Sequence, residues 1–205
     1  MSRYTGPRLR VMRGLGVDLP GLSRETIENR PTPPGQHGTK ATRRRKSDYS
    51  IKLKEKQKLR FNYGVSERQL RRLMLDARKS AGPTGDYLLQ LLERRLDNAV
   101  FRAGFAPTIV AARQLVSHRH ILLNGRIVNI PSVRLKPGDE IGIKQASAKL
   151  PIVVATLQDI PLSRPEWLSW NDETMTAKLV HVPAADDVPF PIDVQRVVEY
   201  YANRL

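Results

Sequence analysis

The side chains able to do chemistry in this sequence are mostly cations, and they come in clusters. Lys52, Lys54, Lys56, Lys58 and Arg60 crowd one short stretch in which only Glu55 opposes them. Arg43, Arg44, Arg45 and Lys46 stand just before it, and Arg68, Arg71, Arg72 and Arg78 follow. Arg3, Arg8, Arg10 and Arg13 open the chain. An ammonium meets phosphate as a point charge, whereas a guanidinium can fork onto two phosphate oxygens or stack on a base. Such a density of like charge should repel itself unless phosphates neutralise it. Between the basic clusters lies Pro33-Pro34-Gly35-Gln36-His37-Gly38. Its glycines permit close backbone approach, and Gln36 and His37 offer polar contacts. Tyr4, Tyr49 and Tyr63 are candidates for stacking on exposed bases, with core packing the alternative for the last two.

Other chemistries find less support. The chain has no Cys, which excludes disulfides, Cys-based zinc sites and thiol catalysis. His118 and His120 would share one strand face, but no Cys or nearby carboxylate completes a metal site. The pairs Asp139-Glu140 and Asp186-Asp187 read as turn residues with no adjoining His or pocket pattern. No metal, cofactor or small-molecule substrate is therefore expected, and no enzymatic activity. The 205 residues hold 35 Lys and Arg against 20 Asp and Glu, a net charge of +15. Residues 1–80 hold 21 against 7, residues 81–150 hold 10 against 5, and residues 151–205 hold 4 against 8. This asymmetry points to a nucleic acid that meets the first half of the chain with help from the middle. No apolar run reaches the roughly 18 residues of a membrane span, and the opening residues lack the apolar stretch of a secretory signal.

The elements that must position these groups read as α+β. Residues 1–46 carry scattered Pro and Gly with no sustained apolar period, which predicts an irregular basic arm that orders on its partner. Tyr4, Leu9, Val11, Met12 and Leu15 favour docking of that arm over free flight. A helix is predicted from Asp48 to Tyr63, stopped by Gly64. Ser66 with Gln69 forms a capping box for a second, whose stripe is Leu70, Leu73, Met74 and Ala77. A third is expected from about Gly85 to Arg102, and Thr108 should cap a short helix through Val116. The period then changes. Asn124-Gly125 suits a two-residue type I′ turn between strands His120–Leu123 and Arg126–Val128. Further strands are expected at Glu140–Ile143, Ile152–Ala155, Trp167–Trp170 and Met175–Val182, and a closing helix at Asp193–Asn203.

At this point several blocks look familiar. SRYTGPRLRVMR, PPGQHG, the stretch Ser47–Gln69, the stretch Leu91–Ser132 and the ending RVVEYYANRL occur in the order and at the spacing of small-subunit ribosomal protein four. The chain resembles the bacterial or organellar form of that family over nearly its whole length, least so at residues 149–191. The resemblance implies a primary binder of 16S rRNA, in its 5′ domain, that nucleates assembly of the subunit body and influences decoding accuracy. It further implies contact with small-subunit ribosomal protein five and, for some members, repression of their own messenger RNA. The implied place is the small ribosomal subunit, in a bacterial cytoplasm or an organelle. Some members carry a zinc-binding cysteine cluster before PPGQHG; its lack here again predicts no metal.

The order of elements predicts a basic arm (1–46) and a helical domain (47–93, completed by 185–205), because the last helix most economically packs on the helical block; the inserted segment (94–184) resembles the family's RNA-binding module. In that module short helices should pack on a small antiparallel sheet. The helix from Thr108 and the loop after it would present Arg113, Gln114, Ser117, His118, Arg119 and His120 to folded RNA. Asn124 and Arg126 would add the hairpin tip. A-form RNA hides its base edges in a deep, narrow major groove, so recognition by phosphate, 2′-hydroxyl and shape is expected. The string Arg95-Leu96-Asp97 resembles the catalytic motif of pseudouridine synthases, which can carry the same module. The Thr and Gly of that pattern are absent, and Asp97 is expected to pair with Arg94, Arg95 or Arg102 on a helix surface. A modifying enzyme, or a free RNA chaperone using the module alone, is the competing reading; the basic arm and helical domain count against the chaperone.

Overall fold

A computed structural model of the chain describes residues 4–36, 38, 47–202 and 204. The chain divides into two compact units, residues 1–88 with 189–205, and residues 89–188.

The first unit is helical. Helix α1 (Arg8–Leu15) buries Met12 and ends on Gly16, whose φ of 74° is the left-handed stop a glycine tolerates. Here the structure corrects the expectation of an irregular arm. The segment finds its partners within the chain: Tyr4 meets the Phe61 ring edge-on at 5.2 Å. The Gly21 N–H donates to Asn62 Oδ1 at 2.9 Å, and Arg8 Nη1 to the Leu22 carbonyl at 3.3 Å. Helix α2 (Asp48–Asn62) starts at Ser47, whose hydroxyl accepts from the Ser50 N–H. Helix α3 (Glu67–Arg78) has the expected capping box of Ser66 and Gln69 and buries Leu70, Leu73, Met74 and Ala77. Helix α4 (Thr84–Glu93) crosses the division between the units at Leu88.

A single helix from Gly85 to Arg102 does not form. The chain breaks at Arg94–Arg95, and α5 (Leu96–Arg102) starts afresh after Arg95 at φ −69° and ψ 138°. The break is held by distant backbone: the Leu135 N–H donates to the Arg94 carbonyl, while the Leu96 and Asp97 N–H groups donate to Val133 and Pro131. A bridge pairs Arg95 with Arg134.

The second unit continues with α6 (Ile109–Ser117), capped by the Thr108 hydroxyl on the Ala111 N–H. The strands β1 (Ile121–Leu123), β2 (Arg126–Ile127), β3 (Glu140–Ile143), β4 (Leu168–Asn171) and β5 (Thr176–Leu179) form one antiparallel sheet in the order β2-β1-β3-β5-β4. The hairpin turn is as expected, with Asn124 at φ 50° and Gly125 at φ 76°. Residues Pro151–Gln158 form a helix, α7, and not a strand. Pro151 sits at its first turn, where the missing N–H is no loss, and this outweighs the β-branched run Ile152-Val153-Val154. Phe101, Phe105, Val116, Ile121, Leu135, Ile141, Val153, Trp167 and Leu179 form this unit's core. Each such large side chain contributes roughly 2 kcal/mol of transfer free energy.

Helix α8 (Val194–Ala202) belongs to the first unit and buries Val197 and Tyr201. Its start approaches α4 so closely that a Cβ on Gly85 would lie 2.8 Å from Val194 Cγ1. The class is therefore α+β: a helical unit, and a unit of short helices on a small antiparallel sheet.

Candidate nucleic-acid interface

Among the first-unit cations the structure distinguishes those turned outward from those used internally. Arg68, Arg71 and Arg72 are exposed on α3, opposite its apolar stripe, around a shallow depression of about 440 Å³ that Glu67 and Leu75 also line. Arg71 Nη2 also donates to the Arg204 carbonyl. Arg8 and Arg10 are exposed on α1, while Arg13 is partly buried and donates from Nε to the Thr32 carbonyl. Gly35, at φ 106°, and Gln36 are exposed. Arg3, His37, Arg43, Arg44, Arg45 and Lys46 lie outside the described residues.

Helix α2 behaves differently from expectation. Carboxylates of the same unit already relieve part of its self-repulsion, at Lys52, Lys56 and Lys58. Lys56 is buried, with Nζ 2.8 Å from Glu67 Oε2 and 5.0 Å from the centre of the Tyr200 ring. Lys52 pairs with Asp48 at 2.6 Å and Glu199 at 3.1 Å, and hydrogen bonds to these two, Asp48 first, raise its ammonium. Lys58 pairs with Glu55 at 2.7 Å and donates to the Pro191 carbonyl. Lys54 and Arg60 are partly exposed, the latter 5.3 Å from the Phe61 ring centre. Burial raises the Glu67 carboxyl, but hydrogen bonds from Lys56 and Tyr201 outweigh it and leave the group below its ordinary value. Burial, then the bond to Glu67, pushes the Tyr201 phenol up.

Of the three tyrosines, Tyr63 is core, 6.2 Å from the Phe190 ring. Tyr4 and Tyr49 remain about half exposed, and Tyr49 faces Tyr200 and Arg204.

In the second unit α6 and β1 are joined by a tight loop whose Arg119 has φ 64°. Gln114, His118 and Arg119 are exposed, and Ser117 is partly so. His120 is partly buried, with Nδ1 2.8 Å from Ser147 Oγ. The His118 and His120 rings are 6.2 Å apart, and no cluster of three His, Cys, Asp or Glu able to hold a metal occurs among the described residues. Arg126 is exposed at the hairpin. Asn124 is exposed but engaged: its Nδ2 donates to Asp139 Oδ1 at 2.8 Å, and its Oδ1 accepts from the Glu140 N–H at 2.8 Å. These bonds place the tip of the β1–β2 hairpin against the start of β3.

Arg113 turns inward. Its Nη2 and Nε lie 2.7 and 3.1 Å from Asp97 Oδ2. Asp97 is fully buried, so the expected helix-surface position is wrong; of the expected partners it takes Arg95. Lys136 and Lys144 are exposed cations that the sequence reading did not single out. The Lys144 N–H donates to the His120 carbonyl, and the Lys136 N–H donates to Asp139 Oδ2, which ties the backbone at both positions to this edge. The signal for them was the net positive charge of residues 81–150.

Fold and site define a basic α+β protein with exposed cations on each unit, in which Glu93 and Asp97 are buried beside arginines while many other carboxylates stay exposed. Residues 3–93 match the family described as ribosomal protein S4/S9 N-terminal domain, and residues 94–141 match the S4 domain. A Nitrosomonas europaea protein named small ribosomal subunit protein uS4B is 75% identical over 205 residues, covering both chains completely. The Methylobacillus flagellatus protein named small ribosomal subunit protein uS4 is 73% identical over the same span, and its Parabacteroides distasonis namesake is 46% identical over 203 residues, 99% of this chain and all of that one. The chain belongs to the uS4 family of small ribosomal subunit proteins. Its relatives carry the names of ribosomal proteins and not of enzymes.

Proposed function

We propose that the chain is a structural constituent of the small ribosomal subunit that binds 16S rRNA in its 5′ domain. Family membership supports the setting. The observation that carries the RNA contact is the exposed edge of the second unit, where Gln114, His118, Arg119 and Arg126 surround a positive-φ loop and a hairpin tip. That edge offers hydrogen-bond donors and cations to folded RNA. Arg68, Arg71 and Arg72, with Arg8, Arg10 and the arm cluster Arg43 to Lys46, supply phosphate contacts from the first unit. The working division remains an arm at 1–46, a helical domain at 47–93 with 185–205, and the module at 94–184.

The finer reading follows from the resemblance. As a primary binder the chain nucleates assembly of the subunit body, contacts small-subunit ribosomal protein five and contributes to decoding accuracy. Repression of its own message would use the same edge. The place of action is the cytoplasmic ribosome; no helix among the described residues is long and apolar enough to cross a membrane. Reconstitution of small-subunit particles on 16S rRNA tests the assembly role. Leaving this chain out should block formation of the body, and late addition should not restore it at the original rate. Particles that form the body equally fast without it would contradict the nucleating role.

A further inference from the structure

We infer that Asp97 and Arg113 form a buried strut that fixes the pose of α6, and that Arg113 is a positioning residue and not a phosphate contact. The inference rests on the RNA-binding reading above. Asp97 is fully buried at the first turn of α5, yet every hydrogen bond it makes suits a carboxylate. Its Oδ1 accepts from Arg95 Nε at 3.0 Å and from the Asn98 N–H at 3.0 Å. Its Oδ2 accepts from Arg95 Nη2 at 2.8 Å and from Arg113 Nη2 at 2.7 Å. One buried carboxylate thus gathers two guanidiniums, Arg95 from just before α5 and Arg113 from α6.

The two ends of this arrangement differ in what they hold. Arg95 is anchored by the break between α4 and α5, where it bridges Arg134 and where Leu96 and Asp97 bond to Val133 and Pro131. Arg113 comes from the middle of α6, the helix that carries the exposed Gln114 and ends on the exposed C-cap His118. A forked guanidinium–carboxylate pair is directional, so it resists rotation of α6 about its own axis as apolar packing alone does not. Ala112, Leu115 and Val116 bury the apolar side of α6, and the directional pair adds to that packing a constraint on how the helix is turned. With the fork of Arg113 directed at Asp97 and its side chain only 15% exposed, the outward work of α6 passes to Gln114 and His118.

Salt dependence separates a strut from a contact. Each phosphate contact contributes about 0.7 to 0.9 to the slope of log affinity against log salt. R113Q should leave that slope unchanged while lowering the preference for a 16S 5′-domain fragment over transfer RNA by about tenfold, as a displaced but intact binding face would. D97N, in a residue with no exposed atom, should lose preference in the same way, and the double variant should lose no more than D97N alone. Circular dichroism and a thermal melt of each full-length variant check folding; if D97N does not fold, R113Q decides alone. A slope reduced by a full contact in R113Q, with equal loss on both RNAs, would make Arg113 a phosphate ligand and overturn the strut. Unchanged preference in folded R113Q would overturn it as well. If the wild-type chain itself shows no preference, the RNA-recognition reading falls, and the strut's role in it falls too.

Discussion

Glu67 shows how a single carboxylate can organise a basic surface. It takes Lys56 on one oxygen and the Tyr201 hydroxyl on the other, at 2.8 and 2.7 Å, and so joins α2, α3 and α8. Its folded value lies below the ordinary 4.5, so its stabilisation is complete above that value and is lost as the pH falls through the lower folded one. The first unit should therefore lose thermal stability on acidification below about pH 4.5, and E67Q should be less stable at neutral pH but flatter over that acid range. Melts of both proteins from pH 7 to pH 3 check this; parallel pH profiles would contradict it. The sequence already showed which residues are cationic, but not which are spent internally. Lys56 and Arg68 look equivalent in the primary structure, and only the arrival of Glu67 and the Tyr200 ring at Lys56 separates them. Asp97 was misplaced for the same reason: its burial depends on Arg113, which lies 16 residues on.

Elements were legible where their signals are local. Ser66 and Gln69 form their capping box as the spacing predicts, with the Ser66 hydroxyl accepting from the Gln69 N–H at 3.3 Å and Gln69 Oε1 accepting from the Ser66 N–H at 3.0 Å. S66A should cost about 1 kcal/mol, read as a lower melting temperature with unchanged helix content at room temperature. No loss of stability would mean that the packing of α3 makes its cap redundant. Asn124-Gly125 was equally readable, because only residues tolerant of positive φ make that turn. The errors occur where distant contacts override local preference. The break at Arg94–Arg95 has no Gly or Pro to announce it; it is made by backbone bonds to residues 131–135. α7 carries a β-branched run, and its helical state depends on Pro151 at the first turn and on burial of Val153 and Thr156. α1 lies in a Pro- and Gly-rich segment, yet Met12 has a place to bury.

At the scale of the molecule, the charge gradient carries the functional account. The acidic groups of residues 151–205 include Glu199 and Asp193, which meet Lys52 and Arg196, so part of the negative charge already serves as internal counter-ion. What remains outward in the first half and the middle is mostly cationic, with Glu25, Glu28, Asp48 and Glu140 as exposed exceptions. A polyanion should bind there with strong salt dependence, and the exposed edge of α6 and the hairpin should add preference for one RNA shape over others. The most direct test is competition binding of the full chain to a labelled 16S 5′-domain fragment at about 0.3 M salt, against a large excess of transfer RNA. Tight binding that survives the competitor is the predicted result. Displacement by transfer RNA in proportion to its concentration would contradict specific recognition and reduce the chain to a general cationic binder.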